Sequence, residues 1–354
     1  LYKYMILINN IMKIEQDIKL DFQDVLIRPK RSTLSSRSQV NLERTFSFPH
    51  STMTWTGVPI IAANMDTIGT FEVCREMSKH KMLTALHKFY TPDDFKNSNL
   101  DTEYVMVSTG INEKDFIRLK EIMKVVNFKW ICIDVANGYM DALINFCQRV
   151  RKEFPDKIIV AGNVVTREMT EDLIKYGQVD VVKIGIGPGS MCITRLKTGV
   201  GMPQLSAIIE CADAAHGLNG HIISDGGCTC PGDFGKAKAF GAGADFTMAG
   251  GLFSGHDENP GELIIENGKQ YKLFYGMSSE HAMTKHYGKM AKYRSSEGRC
   301  IKVNYKGPIE KTILDYLGGL RSACAYINSN CIKNMSKCCT FIRVRSQLNT
   351  SLVK

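Results

Sequence analysis

No stretch of this 354-residue chain approaches the roughly 18 uninterrupted apolar residues that a membrane-spanning helix needs. The N-terminal run from Leu1 to Met12 is apolar, but Asn9-Asn10 interrupts it and no small-residue cleavage site follows, so it does not read as a secretory signal. Cysteine pairs at metal or redox spacing are missing as well. The twelve cysteines are scattered, with no Cys-x-x-Cys unit and no histidines at zinc spacing. A disulfide framework is not expected in a chain long enough to build a full core, so reduced thiols in a cytosolic protein are the expectation. A strong excess of either charge is absent too, because 45 Lys+Arg against 36 Asp+Glu leave +9 at pH 7. Part of that excess is local: Cys331 to Lys354 carries Lys333, Lys337, Arg343, Arg345 and Lys354 without an acid. This tail lacks the dense basic run or interleaved aromatics of a nucleic-acid arm and reads as a solvated terminus. Positive surplus also suits an anionic small substrate. With 44% hydrophobic and 23% charged residues, neither a disordered nor a fibrous chain fits.

What is present is a rhythm. Eight short apolar runs recur: Val58–Met65, Met82–Leu86, Tyr104–Ser108, Trp130–Val135, Ile158–Ala161, Val179–Ile186, His221–Asp225 and Ala244–Ala249. Continuous apolar runs of this length suit strands buried on both faces. Between them, Thr70–Lys79, Glu113–Val126, Met140–Glu153, Thr166–Tyr176, Pro203–His216 and Gly232–Phe240 place apolar residues at helical intervals. Strand-helix alternation repeated eight times predicts an α/β protein with a TIM (β/α)8 barrel. A doubly wound open sheet is the alternative. The length allows two ordinary domains or one barrel. The expected division is an extension over 1–16 without order, a single barrel over 17–349 and a tail over 350–354. Two loops break the rhythm: Gly185 to Cys192 after the sixth strand, and a long excursion over Leu252–Arg299 after the eighth. Within the excursion, Asn267-Gly268 between apolar flanks predicts a hairpin over Glu262–Tyr275.

Active sites of such barrels sit on the loops that follow the strands, which directs attention to these segments. Cys192 ends a glycine-rich loop, with Thr194, Arg195 and Lys197 beyond it. Positive charge or aligned amides would favour its thiolate, the nucleophilic form; an inert buried thiol is the plainer reading. Asp225-Gly226-Gly227 follows the seventh strand and Gly250-Gly251 the eighth, where barrels of this kind cradle phosphate. Either pair taken alone could be a turn. Asp225 suits ribose hydroxyls. Asp134, followed by Asn137-Gly138, and His87-Lys88 are polar groups at strand exits, although Asp134 could equally cap the next helix. Cys228 and Cys230 lack the further ligands of a metal site.

Gly187-Pro188-Gly189-Ser190-Met191-Cys192-Ile193-Thr194-Arg195 closely resembles the cysteine loop of the inosine-monophosphate dehydrogenase and guanosine-monophosphate reductase superfamily. Lys197 to Ala207, Ile60 to Thr67, Asp134 to Tyr139 and Phe274 to Glu280 resemble the reductase branch, and the likeness runs from about Asp17 to about Asn349. No room exists after the second strand for the pair of small regulatory domains that dehydrogenases usually carry. Tyr293-Arg294-Ser295-Ser296-Glu297-Gly298 is similar to the reductase segment that holds a catalytic glutamate, whereas the Arg-Tyr flap of the dehydrogenases is not found.

The resemblance implies NADPH-dependent reductive deamination of guanosine monophosphate to inosine monophosphate, through a thioimidate on Cys192, with Thr194 and Glu297 protonating the leaving amine. It implies phosphate contacts from Ser190, Gly226, Gly227, Gly250 and Gly251, and a ribose contact from Asp225. Around the guanine it places Gly276, Met277, Ser278, Arg294, Ser295, Ser296 and Gly298. For NADPH it points to Ser36, Arg37, Lys88, Asp134, Val135, Ala136, Ile186, Gly187, Tyr293, Arg294, Ser322, Ala323, Cys324 and Ala325. No Gly-x-Gly-x-x-Gly follows a strand, so a Rossmann mode of binding is not expected. A potassium ion would be held among carbonyls of the cysteine loop, at Gly187, Gly189, Cys192 and Arg195, and the assembly would be a homotetramer without nucleic-acid or membrane partners. The alternatives are oxidation of inosine monophosphate by a dehydrogenase and a non-catalytic nucleotide- or nucleic-acid-binding protein. The segment from Asp233 to Phe240 looks about two residues longer than the family pattern, and residues 1–11 have no counterpart in it, so that Met12 reads as the start.

Overall fold

The computed structural model describes residues 14–228, 238–293 and 295–345. After a short strand β1 (Val25–Ile27), β2 (Arg44–Ser47) turns antiparallel onto β3 (Thr54–Ala62), with Phe46 opposite Trp55. From β3 onward, strand and helix alternate. The order is α1 (Phe71–Lys79), β4 (Met82–Ala85), α2 (Pro92–Phe95), β5 (Val105–Thr109), α3 (Glu113–Val125), β6 (Trp130–Asp134), α4 (Asp141–Glu153), β7 (Ile158–Val164), α5 (Arg167–Lys175) and β8 (Val181–Ile184). Then come α6 (Thr194–Thr198), α7 (Gln204–His216), β9 (His221–Asp225), α8 (Lys238–Gly241) and β10 (Phe246–Ala249). Strands β3 to β10 are parallel neighbours in sequence order, and Thr247–Ala249 of β10 pair with Ile60–Ala62 of β3. That closing pairing makes a barrel and excludes the open sheet. Each of the eight apolar runs is a barrel strand.

Alternation along the strands sorts the core into two layers. Trp130, Cys132, Ile158, Val160, Val181, Ile223, Phe246 and Met248 share one buried cluster with Phe46, Phe48 and Trp55. Their alternate neighbours, such as Ile131, Ile159, Val182 and Ile222, pack instead with helix residues Phe116, Leu119, Leu143 and Phe146. The first set fills the barrel, and the second joins it to its helices. Phe46 stacks on Phe246 with ring centroids 4.3 Å apart, so β2 plugs the floor with aromatic rings.

The excursion after β10 forms a small sheet. β11 (Ile264–Glu266) and β12 (Lys269–Tyr275) are joined by Asn267 and Gly268, whose φ values of 50° and 74° make the tight turn that matches strand twist. Helix α9 (Glu280–Tyr287) follows, its N-terminus capped by Ser279 Oγ accepting from the amide of Ala282. A third strand, β13 (Cys300–Asn304), was not foreseen and carries the sheet past the expected end at Arg299. The long helix α10 (Ile309–Tyr326), the short α11 (Met335–Cys338) and β14 (Phe341–Arg343), paired with β1, complete the fold. No helix of the described residues is long and apolar enough to cross a membrane. No two of the described cysteines are joined by a disulfide. The expectations for residues 1–13, the tail 350–354, Cys230, Arg294 and most of the Asp233–Phe240 segment lie outside the described residues.

Candidate active site at the barrel mouth

The loop after β8 carries Cys192, half-buried, and its turn is fixed by the Cys192 amide donating to the carbonyl of Gly189 at 3.0 Å. Main-chain hydrogen bonds lace this loop to two pieces of the excursion. Ile193 N donates to Glu297 O at 2.8 Å, Arg299 N to Met191 O at 2.8 Å, Glu297 N to Ser278 O at 3.1 Å, and Gly276 N to Arg299 O at 2.9 Å. Cys192 and Gly298 also form an antiparallel bridge. Residues over 100 positions apart are thereby brought into register. The outcome is a line of side chains: the Cys192 thiol donates to Thr194 Oγ1 at 3.2 Å, which donates to Glu297 Oε2 at 2.5 Å.

The expected help from Arg195 is not what the geometry supplies. Its guanidinium is engaged by Asp21 at 3.0 Å and by the carbonyls of Met202 at 2.5 Å and Ile186 at 3.4 Å. Arg195 is a brace that ties the cysteine loop to the start of the chain, and its donor-only head cannot ligate a cation. The Arg195 carbonyl, for its part, accepts from Gly199 N.

Beneath the loop lies a buried charge cluster that the sequence reading did not identify. Lys183, only 2% exposed, points into the barrel from the middle of β8 and reaches Asp134 at 2.5 Å, Asp225 at 3.2 Å and Asn64 Oδ1 at 3.3 Å. Burial works against its charge, but the two carboxylates outweigh burial and hold its pKa above the ordinary lysine value. Lys183 in turn keeps Asp134 below the usual carboxylate range despite burial. Asp134 is therefore not a helix cap; Met140 occupies that position on the following helix. Asn163 Nδ2 donates to Asp225 Oδ2 at 2.9 Å, and Gln204 Nε2 to the carbonyl of Ile184 at 2.8 Å. A lysine inside a run buried on both faces was the available signal, because such a charge must be paired.

The glycine pairs converge on the same loop. A methyl group at Gly251 would lie 2.8 Å from Ser190 Oγ, and one at Gly226 would lie 3.1 Å from the amide of Gly189. Gly226 and Gly227 take φ values of 84° and 82°, which only glycine adopts without strain. One at Gly250 would sit 2.6 Å from Met65 Sδ. A methyl group at Gly276 would lie 3.2 Å from Gly298 Cα. Ser296 Oγ donates to the carbonyl of Gly298 at 3.2 Å, while Ser295 and Tyr293 are exposed. Met277 Sδ faces the amide of Asp66 at 3.4 Å. Asp66, also unassigned from sequence, is buried and accepts from Tyr275 at 2.8 Å, His286 at 2.6 Å and Lys285 at 3.1 Å. It fastens α9 and the end of β12 to the barrel mouth. His87 stacks on Tyr90 at 4.0 Å, and burial pushes it down to about 4.

The residues expected to meet NADPH fall in two groups. Asp134 ends β6, and Lys88, Val135, Ala136, Ile186 and Gly187 follow barrel strands at the mouth. Ser36, Arg37, Ser322 and Ala325 instead line a separate groove of about 260 Å³, closed by Leu34 and Tyr326. The exposed Arg37 makes no ion pair among the described residues, which suits it to a phosphate. Ala323 is half-buried beside this groove, but the Cys324 side chain is fully buried among Ile313, Leu317 and Leu320, so it serves the core and not a cofactor. Around Gly187, Gly189 and Cys192 the available donors are main-chain oxygens, a set that suits a hard cation. No cluster of three His, Cys, Asp or Glu side chains suited to a metal occurs among the described residues.

Residues 19–350 match the family model described as IMP dehydrogenase / GMP reductase domain. The chain is 58% identical over 343 residues to GMP reductase 1 of Mus musculus, covering 96% of this chain and 99% of the relative. It is also 58% identical over 344 residues to a GMP reductase of Buchnera aphidicola and 56% identical to one of Klebsiella pneumoniae, covering 96% of this chain and 98% of each relative. A closed parallel barrel with a cysteine loop laced to a glutamate-bearing flap, matched along nearly its whole length, places this chain in the IMP dehydrogenase / GMP reductase family.

Proposed function

We propose that this chain catalyses the NADPH-dependent reduction of guanosine monophosphate to inosine monophosphate and ammonia. The observation that carries this reading is the unbroken line from the Cys192 thiol through Thr194 to Glu297. Direct displacement of the 2-amino group from an electron-rich purine is slow, and covalent catalysis divides the task. Along the line, the thiol proton passes to Thr194 as the Thr194 proton passes to Glu297. The Cys192 thiolate then adds to C2, forming a C–S bond while the electron pair of the C2–N3 double bond goes to N3, which takes up a proton from solvent. Glu297, through Thr194, returns its proton to the 2-amino group. The C–N bond breaks, the departing ammonia carries off the N3 proton as ammonium, and C2 stays bonded to Cys192 as a thioimidate. NADPH, when bound, supplies the hydride that C2 gains in place of the amine. Release of Sγ as thiolate frees the product, and a second proton from solvent restores the thiol. Over one cycle a hydride and two protons enter, and ammonium departs.

Ser190, Gly226, Gly227, Gly250 and Gly251 would hold the phosphate, and Asp225, oriented by Lys183 and Asn163, the ribose. Gly276, Met277, Ser278, Ser295, Ser296 and Gly298 would enclose the base. Arg37 and Ser36, with Ser322 and Ala325, would hold the adenosine half of NADPH, and the barrel-mouth group from Lys88 to Gly187 its nicotinamide half. A potassium ion on the carbonyls of Gly187, Gly189 and Cys192, a homotetrameric assembly and a cytosolic setting belong to the same reading. Oxidation of inosine monophosphate is disfavoured by the presence of Glu297, in place of a water-activating Arg-Tyr pair, beside Thr194.

Incubation with guanosine monophosphate and NADPH should consume cofactor and release ammonia in equal amounts; absence of both overturns the proposal. The Cys192→Ala variant should bind the nucleotide in calorimetry and show no turnover.

A further inference from the structure

We propose that the floor of the barrel, opposite the active site, holds a second anion site for a small phosphate-bearing molecule. A cavity of about 340 Å³ opens where β9 and β10 begin, between the end of α7 and the segment from Ile332 to Lys337. Five basic side chains line it, Arg44, His216, His221, Lys333 and Lys337, against one acid, Asp245. Asp245 is buried to 1% exposure and serves as an internal scaffold. It holds Arg44 at 2.9 Å, His216 at 2.8 Å and His221 at 3.3 Å, fixing three cationic or donor groups at the cavity wall. Arg44 Nε is buried there without a hydrogen-bond partner among the described residues.

Lys333 and Lys337 are exposed and make no ion pair among the described residues, so their charge is free for a ligand. They are two of the five basic residues in the acid-free C-terminal segment. Leaving the two imidazoles aside, three permanent cations face one carboxylate, a balance that a dianion neutralises. The volume accommodates a sugar phosphate. Since β9 and β10 run from this cavity to Asp225–Gly227 and Gly250–Gly251, an occupant would sit at the far ends of the same two strands.

The test is calorimetric titration of ribose 5-phosphate, and separately inorganic phosphate, into the protein already holding one equivalent of guanosine monophosphate. One saturable site should appear for ribose 5-phosphate, weakening with added salt. A Lys333→Gln/Lys337→Gln double variant should lose about tenfold in affinity, equivalent to about 1.4 kcal/mol, while its melting temperature and KM for guanosine monophosphate stay unchanged. Equal affinity for inorganic phosphate would define the phosphoryl group as the whole of the recognised chemistry; weaker affinity would add the sugar to it. No saturable binding beyond the first nucleotide, or binding undiminished in the double variant, overturns the proposal.

Discussion

A threonine hydroxyl 3.2 Å from a thiol and 2.5 Å from a carboxylate can relay a proton only while the carboxylate can accept and return it. Replacing Glu297 by Gln keeps the shape and removes that capacity. We expect kcat for Glu297→Gln to fall about 10²–10⁴-fold, the usual worth of a positioned acid, with nucleotide affinity retained; steady-state kinetics and calorimetry separate the two. Gly226→Ala should behave in the opposite way. Its φ of 84° penalises any side chain by about 1–2 kcal/mol, and the added methyl would press on the Gly189 amide. KM for guanosine monophosphate should rise more than kcat falls. Cys192, Thr194 and the glycine pairs were legible because each sits in a local pattern at a strand exit. Asp66 was not, because its role exists only through Tyr275, Lys285 and His286, some 200 residues away. Arg195 was misjudged for the same reason: its partner Asp21 is distant in the chain.

Among the elements, β8 shows how a strand can carry both fold and chemistry. Val181 and Lys183 point into the barrel, Val182 and Ile184 toward the helices. Lys183→Met would leave Asp134 and Asp225 facing each other without their cation. The Asp134 and Asp225 side chains are 37% and 20% exposed, so the cost falls below the roughly 3–5 kcal/mol of a fully buried pair, and this variant should unfold at lower denaturant and lose activity together. The barrel strands were visible in sequence because burial on both faces makes each a continuous apolar run. Strand β13 was not, since Cys300, Ile301, Lys302 and Asn304 are exposed and the strand is held by main-chain pairing to β12. The Asn267-Gly268 hairpin was visible because its turn demands those residue types.

Across the whole molecule, acid should act in two stages. Burial pushes His87 and His256 down to about 4 from 6.5, so both remain neutral in the folded protein where the unfolded chain takes up protons. Between pH 6.5 and 4 the unfolded state therefore binds up to two more protons, and stability declines as pH falls through that window. His216 works in the opposite direction, because its hydrogen bond to Asp245 raises its pKa; its contribution is complete below 6.5 and is lost as pH rises through its folded value. Asp66 and Asp134 are held below 3.8 by their partners, so their contribution is lost only under stronger acid. Melting temperature should fall from pH 6.5 to pH 4 before the carboxylates titrate; a flat profile over that range contradicts the assignment of buried neutral histidines.

Periodicity, turn chemistry and strand-exit residues are local properties, and they were enough to determine the barrel, its hairpin, the proposed nucleophile as a candidate and the likeness to a family. Closure of β10 onto β3, the lacing of Glu297 to the cysteine loop, the pairing of Lys183 with two carboxylates and the basic cavity on the floor join residues far apart in the chain. Such contacts have no sequence period, because their partners are selected by packing in three dimensions, and only the folded barrel decides them.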